Sequence, residues 1–126
     1  MATAREVLTP LELQIMQALW DGGPATVAEA QARLGGKLAY TTVQTMLGVL
    51  LKKRKVRRRL LGRAYVYHPA ISREGAVAGA IADLVGRMFG GSAEALLMSL
   101  VDARQITAED IARAAELLER NGENRP

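Results

Sequence analysis

Glycine and proline interrupt this sequence at five places and divide it into short patterned segments. The interruptions fall at residues 22–24, 35–36, 62, 69 and 90–91. Both residue types favour turns because their backbone angles differ from those of other residues. The chain is therefore expected to fold from several short elements joined by tight turns.

Three helix starts have the spacing of a capping box, in which a hydroxyl group caps a free amide and an acid or amide three residues later reaches back. In the first of them Pro10 occupies the first helical position, which proline favours. The pattern predicts three helices in the first half of the chain. The three boxes are Thr9-Pro10-Leu11-Glu12, Thr26-Val27-Ala28-Glu29 and Thr41-Thr42-Val43-Gln44.

A hairpin and three further helices are expected after the third helix. Two extended runs, Val56 to Leu61 and Ala64 to His68, are joined around Gly62-Arg63 in the manner of a β-hairpin. Beyond Pro69 the apolar residues recur with helical spacing again. These helices are predicted over Ser72 to Phe89, Ser92 to Asp102 and Thr107 to Arg120. The predicted fold class is mainly α with a small β-hairpin.

The sequence also predicts two functional parts, residues 1–70 and residues 71–126. A tail of about 55 residues built from amphipathic helices can hardly enclose its own apolar faces, so it should pack against a second copy. A homodimer is the simplest arrangement, because one patch then serves both sides of a two-fold axis. The expected dimerisation residues are Ile81, Leu84, Met88, Leu96, Leu97, Leu100, Ile111 and Leu118.

Positive charge is concentrated in the middle of the sequence. Between Ala30 and Arg73, which we call the basic window, there are eleven Lys and Arg and no Asp or Glu. The remaining residues include six basic residues and all 13 acidic ones, so the net charge of +4 conceals a split into +11 and −7. Such segregation attracts polyanions to one part of a protein, and nucleic-acid phosphate is the commonest intracellular polyanion.

The third helix combines an apolar back with a polar front. At about 100° per residue, Thr45, Gly48 and Lys52 lie within about 40° of Thr41, with Gln44 about 60° away on the other side. We call these five residues the front. Short polar groups suit base edges and phosphates in a major groove, and an amide suits adenine. The apolar back is formed by Val43, Met46, Leu47 and Leu50.

The hairpin follows this helix directly and is rich in arginine. Arginine binds phosphate in a bidentate manner and can enter a narrow minor groove. A basic hairpin after a reading helix has the geometry of a wing beside a helix-turn-helix. Tyr65 and Tyr67 should share one face of the second strand, and the pattern leaves open whether they contact phosphate or pack. The predicted DNA-binding residues are Lys37, Tyr40, Thr41, Thr42, Gln44, Thr45, Gly48, Lys52, Lys53, Arg57, Arg58, Arg59 and Arg63.

Composition argues against several other classes of protein. There is no cysteine, hence neither a disulfide framework nor a thiolate metal site. No signal peptide and no uninterrupted apolar stretch of about 18 residues is found, so we expect a cytoplasmic protein with no membrane association. The sequence has no phosphate-cradling glycine loop, no metal-ligand cluster and no pair of nucleophile and base. We therefore expect no cofactor, no metal and no enzyme activity.

Three stretches in this order and spacing resemble the penicillinase-repressor family, the BlaI/MecI-type repressors. They are PLELQIMQALWDGGPATVAEAQ, AYTTVQTMLGVLLKKRKVRR and GRAYVYHPAISREG. The most specific part runs from Tyr40 to Thr45 and is similar to the start of that family's recognition helix. The resemblance implies a winged helix-turn-helix domain followed by a helical dimerisation tail. It also implies a homodimeric repressor of transcription that binds a palindromic operator on double-stranded DNA.

The sequence departs from the family pattern at three points. Family members are commonly induced by cleavage of an Asn-Phe bond in the tail, and the matching pair here is Ser99-Leu100. The resemblance thus leaves open whether a sensor or protease controls induction. The C-terminal cysteines of the copper-responsive members are absent. Arg54 stands where relatives often have glycine, and a left-handed turn there would cost about 1 kcal/mol.

Two other binding functions remain compatible with the residues alone. An RNA- or ribosome-associated protein could use the same basic surface to recognise shape. A protein-interaction module could instead dock an acidic partner on it, although the groove-sized front of the third helix argues against this.

Overall fold

Six helices and one antiparallel hairpin follow one another along residues 8–123, the part of the chain that the computed structural model describes. This order confirms the predicted fold class. The helices are α1 (Pro10–Gly22), α2 (Val27–Arg33), α3 (Tyr40–Lys52), α4 (Arg73–Met88), α5 (Ala93–Asp102) and α6 (Ala108–Glu123). The strands are β1 (Val56–Leu61) and β2 (Ala64–Pro69).

The chain divides into two compact units between Asp83 and Leu84, inside α4. In the first unit, the start of α4 is tied to the end of α1. The indole Nε1 of Trp20 donates a hydrogen bond of 3.0 Å to the carbonyl oxygen of Ile71, and Arg73 forms an ion pair with Asp21. The division into functional parts at residue 70 stays a prediction, because compact units do not show which function each part has.

The first unit is built around one aliphatic core to which α1, α2, α3 and the hairpin all contribute. The buried side chains of α3 are Val43, Leu47 and Leu50, which recur at helical spacing and form the predicted apolar back together with the half-buried Met46. The rest of the core consists of Ile15, Met16, Leu19, Ala25, Val27, Ala30, Val56 and Tyr67.

Two of the three predicted capping boxes are confirmed and the third is wrong. Thr9 with Glu12 and Thr26 with Glu29 make both reciprocal bonds. Helix α3 instead begins at Tyr40 with Ala39 as its N-cap, and Ala39 provides no side-chain cap. Thr41 therefore lies within the first turn of α3, and its hydroxyl is not used as the cap.

The end of α3 keeps a left-handed turn without glycine. Arg54 has φ 63°, its N–H donates to the carbonyl of Leu51, and the N–H of Lys55 donates to the carbonyl of Leu50. This is the bonding of a Schellman motif. The helix end is therefore not reshaped to avoid the left-handed turn: Arg54 adopts it, with the backbone strain that a residue bearing Cβ carries there.

The hairpin pairs β1 with β2 over six residue pairs, from Val56 opposite Pro69 to Leu61 opposite Ala64. Gly62 has φ 65° in the two-residue turn, a conformation that glycine adopts without strain. The structure also has a bridge that the sequence does not predict: Ala25 and Tyr67 exchange backbone hydrogen bonds of 2.7 and 3.0 Å. This bridge fastens β2 to the segment between α1 and α2.

The helices after the hairpin leave their apolar side chains largely open. None of the side chains in α4 and α5 is buried, and those of α6 that the structure describes are exposed except the half-buried Asp110. The Ser99–Leu100 bond lies within α5. Among residues 8–123, no single helix is long and apolar enough to cross a bilayer. Of the described helices, only α4 and α5 taken together reach the necessary length and apolar content, and the chain bends by 89° between them.

One buried ion pair joins α1 to the end of α3. The side chain of Glu12 is 2% exposed, and its Oε2 lies 2.7 Å from Nζ of Lys53 while its Oε1 accepts from the N–H of Thr9 at 2.9 Å. Burial raises the pKa of Glu12, but the bonds from Lys53 and Thr9 outweigh burial, so the pKa lies below its ordinary value.

We predict that Glu12→Gln lowers the free energy of unfolding by about 2 kcal/mol at neutral pH, because the capping box survives and only the ion pair is lost. A carboxylate with a lowered pKa stabilises the fold above its unfolded-state value of about 4.5. The difference between wild type and variant should therefore shrink as pH falls below about 4.5. Urea unfolding at several pH values measures it.

Glu29→Gln is the matched control, because Glu29 occupies the same capping-box position in α2 and has no ion pair among the described residues. It should change stability by less than about 0.5 kcal/mol. Equal effects of the two substitutions would show that the Lys53 contact contributes nothing.

Candidate nucleic-acid interface

The front of α3 is open to solvent along its length. Thr41, Gln44, Thr45 and Lys52 are exposed and Gly48 is half-buried. Because Val43, Leu47 and Leu50 are buried on the other side, the orientation of the helix is fixed by its core contacts. The five front residues are thus brought together on one surface, as the sequence predicts.

The front is also shallow. A depression of about 230 Å³ is lined by Thr41, Thr42, Thr45 and Met46. Apart from its chain neighbours and the backbone of its own helix, a Cβ atom built on Gly48 would have no described atom within 4 Å. No neighbour within residues 8–123 therefore requires glycine at this position, although glycine costs a helix interior about 1 kcal/mol relative to alanine. The predicted residues Lys37 and Tyr40 flank this surface and are exposed.

Lys53 has a partner inside the protein that the sequence pattern does not predict. Its ammonium group is bound by the buried carboxylate of Glu12, while part of the lysine side chain stays open to solvent. The contact of Lys53 with DNA stays a prediction. Arg33 and Arg73, two other members of the basic window, are engaged as well: Arg33 donates to carbonyl groups of Ala18, Gly23 and Pro24, and Arg73 pairs with Asp21.

The other basic residues of the window have no acidic partner within 4 Å among residues 8–123. Their charges are therefore available to a polyanion at this surface. They are Lys37, Lys52, Arg54, Lys55, Arg57, Arg58, Arg59 and Arg63.

The arginines of β1 alternate between the two faces of the hairpin. Neighbouring residues of a strand point to opposite faces, and Arg58 pairs with Tyr67, which is buried in the core. Arg58 thus shares the core-facing side of the ribbon, whereas Arg57 and Arg59 lie on the opposite side. Arg57, Arg58, Arg59, His68 and Pro69 line an open depression of about 360 Å³. The hairpin presents positive charge on both faces.

Two tyrosines hold Arg58 in place. The guanidinium carbon lies 3.9 Å from the centre of the Tyr65 ring, and Nη1 donates to the Tyr67 hydroxyl at 3.4 Å. The hydrogen bond to Tyr67 raises the pKa of Arg58 above its ordinary value. Tyr65 is exposed and Tyr67 is buried. The alternative left open by the sequence is thus resolved for Tyr67, which packs in the core.

Three contacts that shape this surface are not predicted by the sequence pattern. They are the pair of Glu12 and Lys53, the bonds of Arg33 to carbonyl groups, and the bridge between Ala25 and Tyr67. Each joins residues nine or more positions apart, and a periodic pattern carries no information on such contacts. A charged residue at a buried helical position, as Glu12 is, was the available signal for the first.

The predicted dimerisation residues lie on α4, α5 and α6. Leu96 and Leu100 are half-buried, and the other six are exposed. Met88 and Leu118 are each 73% exposed, which is high for large apolar side chains. Within residues 8–123, no three His, Asp or Glu side chains come close enough together to hold a metal ion.

Comparison with known proteins connects these features to one family. The family model described as penicillinase repressor matches residues 8–120. The transcriptional regulator BlaI of Mycobacterium tuberculosis is 36% identical over 124 residues, which cover 94% of this chain and 90% of that protein.

Two solved structures resemble the chain. One is the solution structure of the Bacillus licheniformis BlaI monomeric form in complex with the blaP half-operator, with 28% identity, coverage of 56% of this chain and 88% of that chain, and a TM-score of 0.48. The other is the YusO protein of Bacillus subtilis, with 20% identity, coverage of 94% and 77%, and a TM-score of 0.51, a likeness of fold alone. The chain belongs to the penicillinase repressor family and is a transcriptional repressor rather than an enzyme.

Proposed function

We propose that this repressor binds a palindromic operator on double-stranded DNA as a homodimer, with the front of α3 in the major groove and the hairpin as the wing. The observation that carries the proposal is the open front of α3 beside a hairpin whose arginines have no acidic partner among the described residues. Two copies of α3 then enter successive major grooves about 34 Å apart. In a bacterial cell, a repressor that binds chromosomal DNA in this way acts in the cytoplasm.

Within each subunit, the residues divide into two roles. Thr41, Gln44 and Thr45 reach base edges, because they are short or carry an amide and lie on the front. Lys37, Lys52 and the hairpin arginines contact phosphate, which fixes position and supplies most of the affinity. Tyr40 and Thr42 lie at the start of α3, and the N-terminus of a helix favours contact with phosphate.

Selection of bound fragments from random duplex DNA tests the function directly. We expect an inverted repeat whose half-sites are about one helical turn apart. With three or four phosphate contacts per subunit, log affinity against log salt should slope near −6. A flat salt dependence, or preference for structured RNA over the selected duplex, would contradict the proposal.

Substitution at the front and at the hairpin should have different effects. We expect Thr45→Ala to reduce discrimination between the selected duplex and random duplex by about tenfold, because a base contact is worth about 1–3 kcal/mol. Arg58→Ala should weaken binding to both duplexes alike and reduce the salt slope by about 1. Titrations of both duplexes at several salt concentrations measure this. If both variants changed specificity equally, the division of roles would be wrong.

Gly48 allows a test in which stability and binding change in opposite directions. Gly48→Ala should raise the free energy of unfolding by about 1 kcal/mol, because the new methyl group meets open space and alanine favours the helix. The same methyl group should weaken binding of the selected duplex if DNA approaches the helix closely. A variant that is more stable and binds equally well would show that DNA does not approach α3 at Gly48.

The homodimer is supported by the apolar side chains that α4, α5 and α6 leave exposed in one copy. Leu97→Glu places a charge on this surface and should shift sedimentation from dimer to monomer. Leu13→Glu is the control, because Leu13 is similarly exposed but lies on α1. A Leu97→Glu protein that stays fully dimeric would exclude this part of α5 from the interface.

The mode of induction is a separate question. The Ser99–Leu100 bond belongs to a regular helix and differs from the family's cleavage pair. A sensor or protease that acted there would first have to unwind α5, because proteases cleave extended chain.

A further inference from the structure

The chain passes from β2 into α4 through three residues, 70–72, whose path is set by hydrogen bonds. The N–H of Ala70 donates to the carbonyl of Lys55 at 2.8 Å. The hydroxyl of Ser72 accepts from the N–H of Gly75 at 2.9 Å, as the hydroxyl of a helix N-cap does. The connection is therefore short, and it places the start of α4 at a defined point of the first unit.

Two side-chain contacts tie the start of α4 to the end of α1. Nε1 of Trp20 donates to the carbonyl of Ile71 at 3.0 Å, and Arg73 forms an ion pair with Asp21. The guanidinium carbon of Arg73 also lies 5.5 Å from the centre of the Trp20 ring, within the range of a cation–π contact. We call Trp20, Asp21, Ile71 and Arg73 the junction. It joins residues 51 and 52 positions apart along the chain.

The junction decides the direction of α4, because the core does not. None of the side chains of α4 is buried, whereas Ile15 and Leu19 of α1 and Leu47 of α3 are packed in one core. The core therefore holds α1 and α3 together and leaves the start of α4 to the junction. Asp21 and Arg73 are exposed, and exposed ion pairs stabilise a fold little. The ion pair thus matters for the direction of α4 more than for stability.

The direction of α4 matters for a dimer because this helix exposes apolar side chains within the first unit. Val77 is 51% exposed and Ile81 is 49% exposed, and side chains four positions apart share one face of a helix. Ile81 is among the expected dimerisation residues, and at about 1.5 Å per residue it lies about 12 Å from Arg73 along α4. A tilt of about 15° at the junction displaces a contact at Ile81 by about 3 Å, close to the rise of about 3.4 Å per base pair.

Resting on the proposed function, we infer that the junction sets the distance between the two half-sites that the repressor accepts. It fixes the angle between α1, to which α3 is bound through the core, and α4, which takes part in the contact with the second copy. Trp20, Asp21 and Arg73 are thus positioning residues, which act on spacing through α3 and α4 without touching the operator.

The test uses the full chain, the duplex recovered by selection, and the same duplex with one base pair added between the half-sites. The added pair moves the half-sites apart by about 3.4 Å and turns them by about 35°. Wild type should bind the lengthened duplex at least about tenfold more weakly, because a rigid dimer leaves the deformation to the DNA. The ratio of the two affinities is the measure, since it cancels any general effect of charge on binding.

Asp21→Arg should reduce this ratio to about threefold or less. The substitution sets two guanidinium groups against each other where an ion pair stood, so the junction opens and the two copies of α3 can adapt to either spacing.

The charge-swapped variant Asp21→Arg/Arg73→Asp is the matched control. It keeps the net charge of wild type and places a cation near the C-terminal end of α1 and an anion at the N-terminal end of α4, where the helix dipoles favour them. The ion pair is restored with reversed direction, so the ratio should return to at least about tenfold. Thermal unfolding of all three proteins verifies that they are folded.

Trp20 reports on the junction without DNA. It is the only tryptophan of the chain, so the indole fluorescence comes from the junction alone. Quenching by acrylamide should be stronger in Asp21→Arg than in wild type, because opening the junction exposes the half-buried indole, and it should return to the wild-type level in the charge-swapped variant.

Three results would overturn the inference: the wild-type ratio in Asp21→Arg, a reduced ratio that persists in the charge-swapped variant, or equal quenching in all three proteins. Wild type that selects an inverted repeat but binds both spacings equally would overturn it too, while leaving the proposed function intact. Failure of the proposed function looks different, since wild type would then select no inverted repeat at all.

Discussion

Burial of one side of α3 is the constraint on which the rest of the interface depends. Val43, Leu47 and Leu50 are completely enclosed, and a helix has only one rotation that encloses all three. That rotation turns Thr41, Thr45 and Lys52 outward. The same core includes Val56 and Tyr67 of the hairpin, so the orientation of the reading helix and that of the wing are set by one set of contacts.

A second group of contacts fixes the path of the chain where α3 ends. Lys53 is bonded to Glu12, Arg54 reverses the chain, and the carbonyl of Lys55 accepts from Ala70 after the hairpin. The chain therefore leaves α3 in a defined direction and returns to nearly the same point. The cost is a strained backbone at Arg54.

Much of this architecture could be predicted from the sequence because it follows from local patterns. Helical spacing identified the back of α3, and Gly62 identified the hairpin turn. The third capping box failed because the pattern at Thr41 is also compatible with a helix that begins two residues earlier, at Tyr40 instead of Thr42. The partners of Lys53 and Arg33 could not be predicted, since folding alone brings them close.

The alternation of arginines along β1 limits how the length of the wing can change between relatives. Inserting or deleting one residue before Arg57 would move every following side chain to the other face of the ribbon. Arg58 would lose its contact with Tyr65, and the two outward arginines would turn toward the core. Relatives should therefore tolerate insertions here in pairs, so that wing length varies by even numbers while parity is preserved.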